Sequence, residues 1–469
     1  MRHSFLRVCS SLLLFAVAAT GFADTANLDP TYNPPLGYAK VGSFLGTNTY
    51  LSARPRRLLV SDSGVHYLVG TGQTAIGVSP AQSAVTVVSR SADGTLNSSF
   101  FGIGRRAFKL APGGVLTDTV VEDAVLVPKS GILIVGRFIG APGGYALMLD
   151  FFGNTVASFG TAGARYFSDL QPSAVAVDPA GIYVVGTFAG GLSGLDVRVR
   201  ALSFTGADRT SWGSFGTTAW GYIDQQSAVN YDDRPVSAAV SASGRLVIVG
   251  SSRRPGDWQT VAHYLILTAS GGFGNSNALS PSACAPGATS EFAFERVVAE
   301  GETAYVALRE TRDNAGCPEI PRNSFGVVAI NTSGGGLSNL GASSTRASCC
   351  GGDGAALALT DLARDARGRL YLSFSTNFPG GVSRGHLVRF DPATVVLAPD
   401  PTFGDAGFGT YNLDTPGADA TLTAIALDTE QRLHAAGGFT SDILGNPFNV
   451  DHWVFRVRDE TLFRNGFEQ

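Results

Sequence analysis

An internal repeat runs through most of this 469-residue chain and constrains its fold more than any other feature. Each copy is an apolar run, a turn that usually contains glycine, and a second apolar run, which together predict a β-hairpin. The copies recur at intervals of roughly sixty residues, a spacing typical of repeat architectures. The seven copies are Arg57–Gly70, Val120–Gly136, Ala174–Gly186, Ser237–Gly250, Arg296–Leu308, Asp361–Phe374 and Ala424–Gly437.

A second element follows most copies and contains a Phe-Gly-rich stretch that leads into a further strand. It is clearest at Asp93–Gly104, Phe152–Gly163 and Val396–Gly409. Each unit therefore has four antiparallel strands, which is one blade of a β-propeller. Strands such as Ile132–Val135 and Leu246–Val249 are apolar at every position, so both of their faces should be buried. This favours an all-β single β-propeller of about seven four-stranded blades over a sandwich. The repeat length of roughly sixty residues also favours a propeller over a β-solenoid, whose repeats are shorter.

The two ends of the chain are complementary. The seventh copy continues to a strand at His452–Val457 and then lacks its fourth strand. The segment Asn27–Val41 resembles the Phe-Gly element, with Tyr32 where phenylalanine usually stands. We therefore expect the N-terminal strand to complete the last blade and close the ring, which removes an open sheet edge. The predicted organisation is a signal peptide at 1–23, the propeller at 24–458 and a tail at 459–469.

The N-terminus has the layout of a secretory signal peptide. Arg2 and Arg7 give a positive start, Leu12–Ala19 is a short apolar run, and small residues end at Ala23. That run is too short to cross a bilayer, and no longer apolar run follows. We therefore expect a secreted or periplasmic protein without a membrane span.

Composition excludes some partners. The formal net charge of −4 becomes more negative when the two leader arginines are removed, and only three lysines are present. No basic run could follow a phosphate backbone, so we expect no nucleic-acid partner. Charged residues make up 15% of the chain and hydrophobic residues 44%, which is typical of an ordered β protein with many turns rather than a disordered chain.

The two repeated elements resemble the bacterial delta-60 repeat family over nearly the whole mature chain. The match is fair at Asp93–Gly104 and Val396–Gly409 and poor at Ala269–Asn277 and Asn331–Gly341. The resemblance implies an exported, propeller-like protein and carries no catalytic motif. The terminal LFRNGFEQ is similar to a short tail on exported proteins of some Gram-negative bacteria, which implies that type of source.

Motifs that usually carry chemistry are weak in this sequence. The five mature histidines lie in or beside separate predicted strands, without metal-ligand spacing, so we interpret them as packing residues. Gly381–Gly385 matches a nucleophile elbow, but a strand follows it where that motif needs a helix. Gly351–Ala356 begins like a calcium repeat and lacks the required aspartate. We therefore expect no catalytic residues, no metal and no cofactor.

Arginines and one tryptophan recur in the loops between the second and third strands of their blades. Such loops emerge on one face of a propeller, where ligands usually bind. The arginine and tryptophan side chains are therefore candidates to bind an anionic ligand such as an acidic glycan. The alternative interpretation is that they are ordinary solvated loop residues. The candidates are Arg137, Arg253, Arg254, Trp258 and Arg309.

Four cysteines remain after the leader is removed: Cys284, Cys317, Cys349 and Cys350. An even number in an exported chain predicts disulfides, and three pairings are open. We expect two bridges that join Cys284 and Cys317 to the adjacent pair, because a vicinal bond strains its peptide. A vicinal disulfide also occurs in quinone-dependent propeller dehydrogenases, but the repeated tryptophan motif of those enzymes is absent here.

The function predicted from the sequence is an exported, non-catalytic propeller that serves as a binding or surface-interaction module for a glycan or protein ligand, as a monomer. The alternative is an enzyme that uses the propeller channel, such as a polysaccharide lyase, a hydrolase or a quinone-dependent dehydrogenase. Several convergent carboxylates, histidines or arginines in the channel would favour the enzyme. An apolar or blocked channel would favour the binding module.

Overall fold

The computed structural model describes the chain in sixteen stretches. The described residues are 28–35, 38–41, 50–74, 83–189, 194–221, 231–253, 260–279, 290–312, 323–334, 356–377, 383–391, 399–400, 402–404, 408–411, 420–440 and 450–457. The predicted signal peptide, the C-terminal tail, Arg254, Trp258 and all four mature cysteines lie outside them.

The first three sheets each contain four consecutive antiparallel strands. The first sheet is β2 (Tyr50–Val60), β3 (His66–Thr74), β4 (Ser83–Arg90) and β5 (Arg105–Phe108). The second is β6 (Thr119–Val127), β7 (Gly131–Phe138), β8 (Gly144–Leu149) and β9 (Ala164–Phe167). The third is β10 (Gln171–Asp178), β11 (Gly181–Ala189), β12 (Leu195–Leu202) and β13 (Thr217–Trp220).

The fourth sheet has seven strands, because one parallel pairing of Thr260 with Glu291 joins two groups. The groups are β14 (Asp232–Val240), β15 (Leu246–Arg253), β16 (Thr260–Leu267) and β17 (Phe273–Leu279), then β18 (Ser290–Glu300), β19 (Thr303–Arg312) and β20 (Asn323–Asn331). The fifth sheet is β21 (Ala356–Arg364), β22 (Leu370–Asn377), β23 (Ser383–Phe390) and β24 (Phe408–Tyr411). The last sheet is β25 (Ala420–Leu427), β26 (Leu433–Thr440), β27 (Val450–Arg456) and, at its edge, β1 (Tyr38–Val41).

The seven hairpins predicted from the repeat are confirmed as antiparallel strand pairs. We call the first strand of each hairpin a leading strand; the leading strands are β2, β6, β10, β14, β18, β21 and β25. The predicted pairing of the N-terminal segment with the strand at His452–Val457 is also present, with Tyr38 opposite Phe455 and Val41 opposite His452. The described chain is therefore all-β and propeller-like, and its fifth hairpin belongs to a group of three described strands, β18 to β20, rather than four.

Apolar side chains fill the spaces between neighbouring sheets. Ile132–Val135 and Leu246–Val249 are buried at every position, as a strand pressed between two sheets requires. One buried cluster joins the first sheet to the last and contains Leu58, Leu68 and Val454. The packing therefore connects the N-terminal and C-terminal parts of the described chain.

The Phe-Gly element acts as an aromatic latch between successive sheets. The ring of Phe100 lies against Gly153 in the next sheet, where an added Cβ would stand 2.8 Å from that ring. The following amide, that of Phe101, donates a 2.9 Å hydrogen bond to the carbonyl of Phe152. Tyr32 and Gly94 make the same contact between the last sheet and the first, and Tyr32 is fully buried. The latch pairs are Tyr32–Gly94, Phe100–Gly153, Phe159–Gly206 and Trp212–Gly271.

No helix among the described residues is long and apolar enough to cross a membrane.

Candidate functional site

Every leading strand carries a β-bulge at the same point. The pairing register skips one residue there, and the bulge residues are Arg56, Glu122, Ser173, Val236, Glu295, Thr360 and Thr423. A bulge leaves one residue unpaired and changes the direction of the side chains around it. Several of these re-aimed side chains are charged, and they form two layers, which we call the inner and the outer layer.

The inner layer consists of Arg57, Asp123, Arg296 and Asp361, each of which directly follows a bulge. Arg57 donates from Nε to Asp123 Oδ1 at 2.5 Å and from Nη1 to Asp361 Oδ1 at 2.7 Å. Arg296 Nε lies 3.7 Å from the same oxygen of Asp361 and donates to the carbonyl of Thr360 at 2.9 Å. Asp123, Arg296 and Asp361 are buried. Arg57 thus connects sheets that are far apart in sequence.

The remaining oxygens of the inner layer are also occupied. Asp123 Oδ2 accepts from the amide of Val175 at 3.0 Å, and Asp361 Oδ2 accepts from the amide of Ile425 at 3.1 Å. In both cases the donor belongs to the next leading strand. The aspartates therefore tie neighbouring leading strands together, and every carboxylate oxygen has a donor.

Burial and charge act together on the two inner-layer arginines. Burial alone would lower the pKa of Arg57, but Asp123 and Asp361 outweigh it, and the pKa is raised. The pKa of Arg296 is lowered, first by burial and then by the charge of Arg57. Since an arginine keeps its proton at neutral pH, two guanidinium groups face two carboxylates and the layer carries no net charge.

A neutral, fully bonded layer cannot readily supply a general acid or base. Each candidate carboxylate is already an acceptor for a guanidinium and a backbone amide, so it has no oxygen left for a substrate proton. Removing either arginine would leave a buried unpaired charge, which is costly in a folded protein. The inner layer is therefore a structural plug where the leading strands meet.

The outer layer is more exposed and contains two of the arginines predicted from the sequence. Arg137 Nε donates to Glu122 Oε1 at 2.9 Å, and Arg309 Nε donates to Glu295 Oε1 at 2.8 Å. Both glutamates are bulge residues, and both arginines lie on the second strand of their hairpins. The Arg137 side chain is 45% exposed. Sequence reasoning identified these arginines but not their carboxylate partners.

The other predicted site residues are not brought into this layer by the described contacts. Arg253 ends β15 and is exposed. Arg254 and Trp258 are outside the described residues, as are the cysteines. Among the described residues no group of three or more His, Cys, Asp or Glu side chains is arranged to hold a metal ion.

Sequence reasoning missed one buried polar cluster, which joins the last sheet to the first. His66 Nε2 lies 3.1 Å from His434 Nδ1, and His434 Nε2 lies 3.0 Å from Asp428 Oδ2. The ring of Tyr32 packs edge-on against both histidines. Burial and, to a smaller extent, the neighbouring His434 together lower the pKa of His66 to about 3. The histidines are 368 residues apart, so no local spacing reveals the pair.

No family model matches the chain, and no curated protein matches it. Among solved structures, a Trypanosoma rangeli sialidase in complex with the inhibitor DANA is similar with a TM-score of 0.42 and 11% identity, over 92% of this chain and 61% of that one. The polysaccharide lyase Uly1 has a TM-score of 0.40 and 10% identity, over 72% of this chain and 89% of its own. A protein of unknown function from Dyadobacter fermentans has a TM-score of 0.38 and 13% identity, over 90% of this chain and 100% of its own. The chain thus spans less than two thirds of the sialidase, and similarities this low do not bear on its ligand or activity.

Proposed function

We propose that this chain is an exported, non-catalytic β-propeller of seven four-stranded blades, closed by its N-terminal strand, that acts as a binding module. The pairing of β1 with β27 and the Tyr32–Gly94 latch support closure. The seven bulged leading strands support seven equivalent blades. The delta-60 resemblance and the signal-peptide layout support export to the periplasm or beyond.

The observation that carries the non-catalytic assignment is the inner layer. Where the leading strands meet, an enzyme would need free titratable groups, but Asp123 and Asp361 are saturated by arginine and backbone donors. The outer layer has the opposite character, because Arg137 is partly exposed and its guanidinium has donors to spare. An anionic ligand at this layer would replace Glu122 and Glu295 as the partners of the Arg137 and Arg309 guanidinium groups.

Calorimetric titration with an acidic oligosaccharide tests this proposal. The double substitution Arg137→Gln and Arg309→Gln should reduce affinity at least about tenfold, since two charge-assisted contacts are lost. Arg165→Gln is the matched control, because Arg165 is a partly exposed arginine paired with Asp208 on an outer strand. Equal affinity of the double variant and the wild type would contradict the binding site. Release of new reducing or unsaturated sugar ends during the titration would contradict the non-catalytic assignment.

A further inference from the structure

A cleft separate from the outer layer lies between the first and second sheets, beside the turns that join their leading strands to the strands that follow. Its volume is about 490 Å³, which is within the usual range for small-molecule sites. Val65, Tyr67, Leu126 and Phe151 supply apolar surface that is buried or partly buried. Exposed side chains from four different turns surround this floor.

Phe152 at the edge of the cleft contributes to the fold through its backbone, whose amide donates to Asp150 Oδ1 at 2.9 Å. Its carbonyl accepts the latch hydrogen bond from Phe101, a duty that any residue type can perform. In the other latches the carbonyl that accepts this hydrogen bond belongs to a polar residue: Asp93, Thr205 or Ser270. Phe152 instead exposes 60% of its surface beside the cleft. An exposed aromatic where the repeat uses polar residues is a candidate for ligand contact.

Lys129 lies in the same cleft and is the left-handed residue of its turn. Its backbone φ is +62°, a left-handed conformation that glycine adopts at lower cost. In the longer turns of other hairpins the left-handed residue is Gly64, Gly244, Gly368 or Gln431. A lysine held in this conformation is an outlier of the kind that clusters at ligand sites.

Asp62 supplies the opposite charge from the neighbouring sheet, and it lines the same cleft. Among the described residues neither Asp62 nor Lys129 has a hydrogen bond or ion pair through its side chain, and no ion pair joins the two. The hydroxyl groups around them are already bonded. Ser61 Oγ lies 3.0 Å from Ser63 Oγ, and Ser99 donates to Asn97 Oδ1 at 2.6 Å. The free polar groups of the cleft are therefore one carboxylate and one ammonium.

We propose that this cleft binds a short peptide with free termini and an apolar, best aromatic, side chain. Asp62 would bind the terminal amine and Lys129 the terminal carboxylate, each through a charge-assisted hydrogen bond. Within the described part of the chain Asp62 and Lys129 form no ion pair, and they belong to turns of two different sheets. A dipeptide or tripeptide, whose charged termini lie farther apart than those of a single amino acid, is therefore the better match. The peptide side chain packs on Tyr67 and Phe151, with Phe152 as an aromatic wall. A sugar fits less well, because the serine hydroxyls that would read its hydroxyl groups are engaged within their own turns.

Isothermal titration calorimetry with glycyl-phenylalanine tests the proposal on the mature protein. We expect the free dipeptide to bind. Blocking either terminus, by acetylation or by amidation, should weaken binding at least about tenfold, because one of the two charge-assisted contacts is lost. Neutral and acidic oligosaccharides should not compete. Absence of dipeptide binding, or competition by an oligosaccharide, would overturn the proposal. The outer-layer proposal does not depend on either result.

Three variants assign the contacts. Asp62→Asn should remove the discrimination between the free and the acetylated amine, and Lys129→Gly should remove that between the free carboxylate and the amide. Phe152→Ser should weaken the binding of the free, the acetylated and the amidated dipeptide. Serine suits the fold there, because Ser270 occupies the equivalent position of another latch. Phe273→Ser and Lys109→Gln are matched controls for an exposed phenylalanine and a lysine elsewhere, and they should bind as the wild type does. Melting temperatures of Lys129→Gly and Phe152→Ser should equal or exceed that of the wild type. Folded variants that retain full binding and discrimination would overturn the site.

Discussion

Acidification should destabilise this protein through His66. The side chain is 1% exposed and lies between Tyr32 and His434, with Asp428 beyond. The other charged groups that act on this cluster include Arg456, Arg432, Asp93 and Arg90. Burial holds the pKa of His66 at about 3 in the folded protein, whereas an exposed histidine titrates near about 6.5. Between these two pKa values, His66 therefore binds a proton in the unfolded chain but not in the folded chain.

The sign and size of the effect follow from this difference. The folded pKa is below the unfolded value, so the stability is fully present above about pH 6.5 and is lost as the pH falls toward the folded pKa. The loss approaches about 1.4 kcal/mol per pH unit once the unfolded histidine is protonated. Between about pH 7.5 and about pH 5, His66 alone should remove about 2 kcal/mol from the free energy of unfolding. The pKa of Asp428 is lowered despite its burial, because it accepts hydrogen bonds from His434 and Arg432, so its contribution is lost only at more acidic pH.

His66→Leu isolates this contribution. The same register position holds Ile132, Ile182, Leu246 and Leu370 in other hairpins, so leucine suits the fold there. Urea unfolding measures the free energy of unfolding at about pH 7.5 and at about pH 5 for both proteins. The loss between these pH values should be about 2 kcal/mol smaller in the variant than in the wild type. If both proteins lose equal stability on acidification, His66 does not carry the effect and the reasoning is wrong.

Four further predictions concern the fold. Arg57→Met should lower the free energy of unfolding by about 3–5 kcal/mol, because two buried aspartates lose their bridge; chemical denaturation measures it, and a loss below about 1 kcal/mol would contradict the plug. Gly153→Ala should cost about 2 kcal/mol, because the backbone is left-handed and the added Cβ meets the Phe100 ring; Gly140→Ala, left-handed with open space around it, is the control for the contact, and equal losses would contradict the latch. Deleting 27–41 should cost several times more than deleting 459–469, since it removes buried side chains worth about 1.5–3 kcal/mol each; equal melting temperatures would count against closure. Non-reducing peptide mapping of exported protein should find two disulfides, each worth about 2–4 kcal/mol, and four free thiols would refute them.

The hairpins and the Phe-Gly element could be predicted from sequence because both are local, whereas the latch contact with the next sheet was not predicted. Alternating turns and apolar runs define each hairpin, and the likeness of segment 27–41 to the Phe-Gly element indicates that Tyr32 replaces phenylalanine. The bulges could not be predicted, because no residue type marks them: the bulge residue is Arg56 in one strand and Val236 in another. Without the bulges, the direction of the charged side chains on the leading strands is undefined.

Contacts between distant parts of the chain escaped sequence reasoning for a related reason. Arg57 and Asp361 are 304 residues apart, and their ion pair depends on two bulges that aim both side chains inward. The His66–His434 pair depends on the packing of the last sheet against the first. Arg137 and Arg309 could be selected as loop-proximal arginines, whereas their pairing with Glu122 and Glu295 required the register.

The distribution of partners separates structural charge from charge that is free for a ligand. In the inner layer Asp123 and Asp361 have donors on every oxygen, and the layer is neutral, so it stabilises the fold and has nothing left to bind. At the cleft between the first and second sheets, Asp62 and Lys129 line an apolar floor and have no partner among the described residues. The left-handed conformation of Lys129 costs free energy relative to a glycine at the same position. In the proposed peptide complex, these two unused charges are the groups that bind the peptide termini.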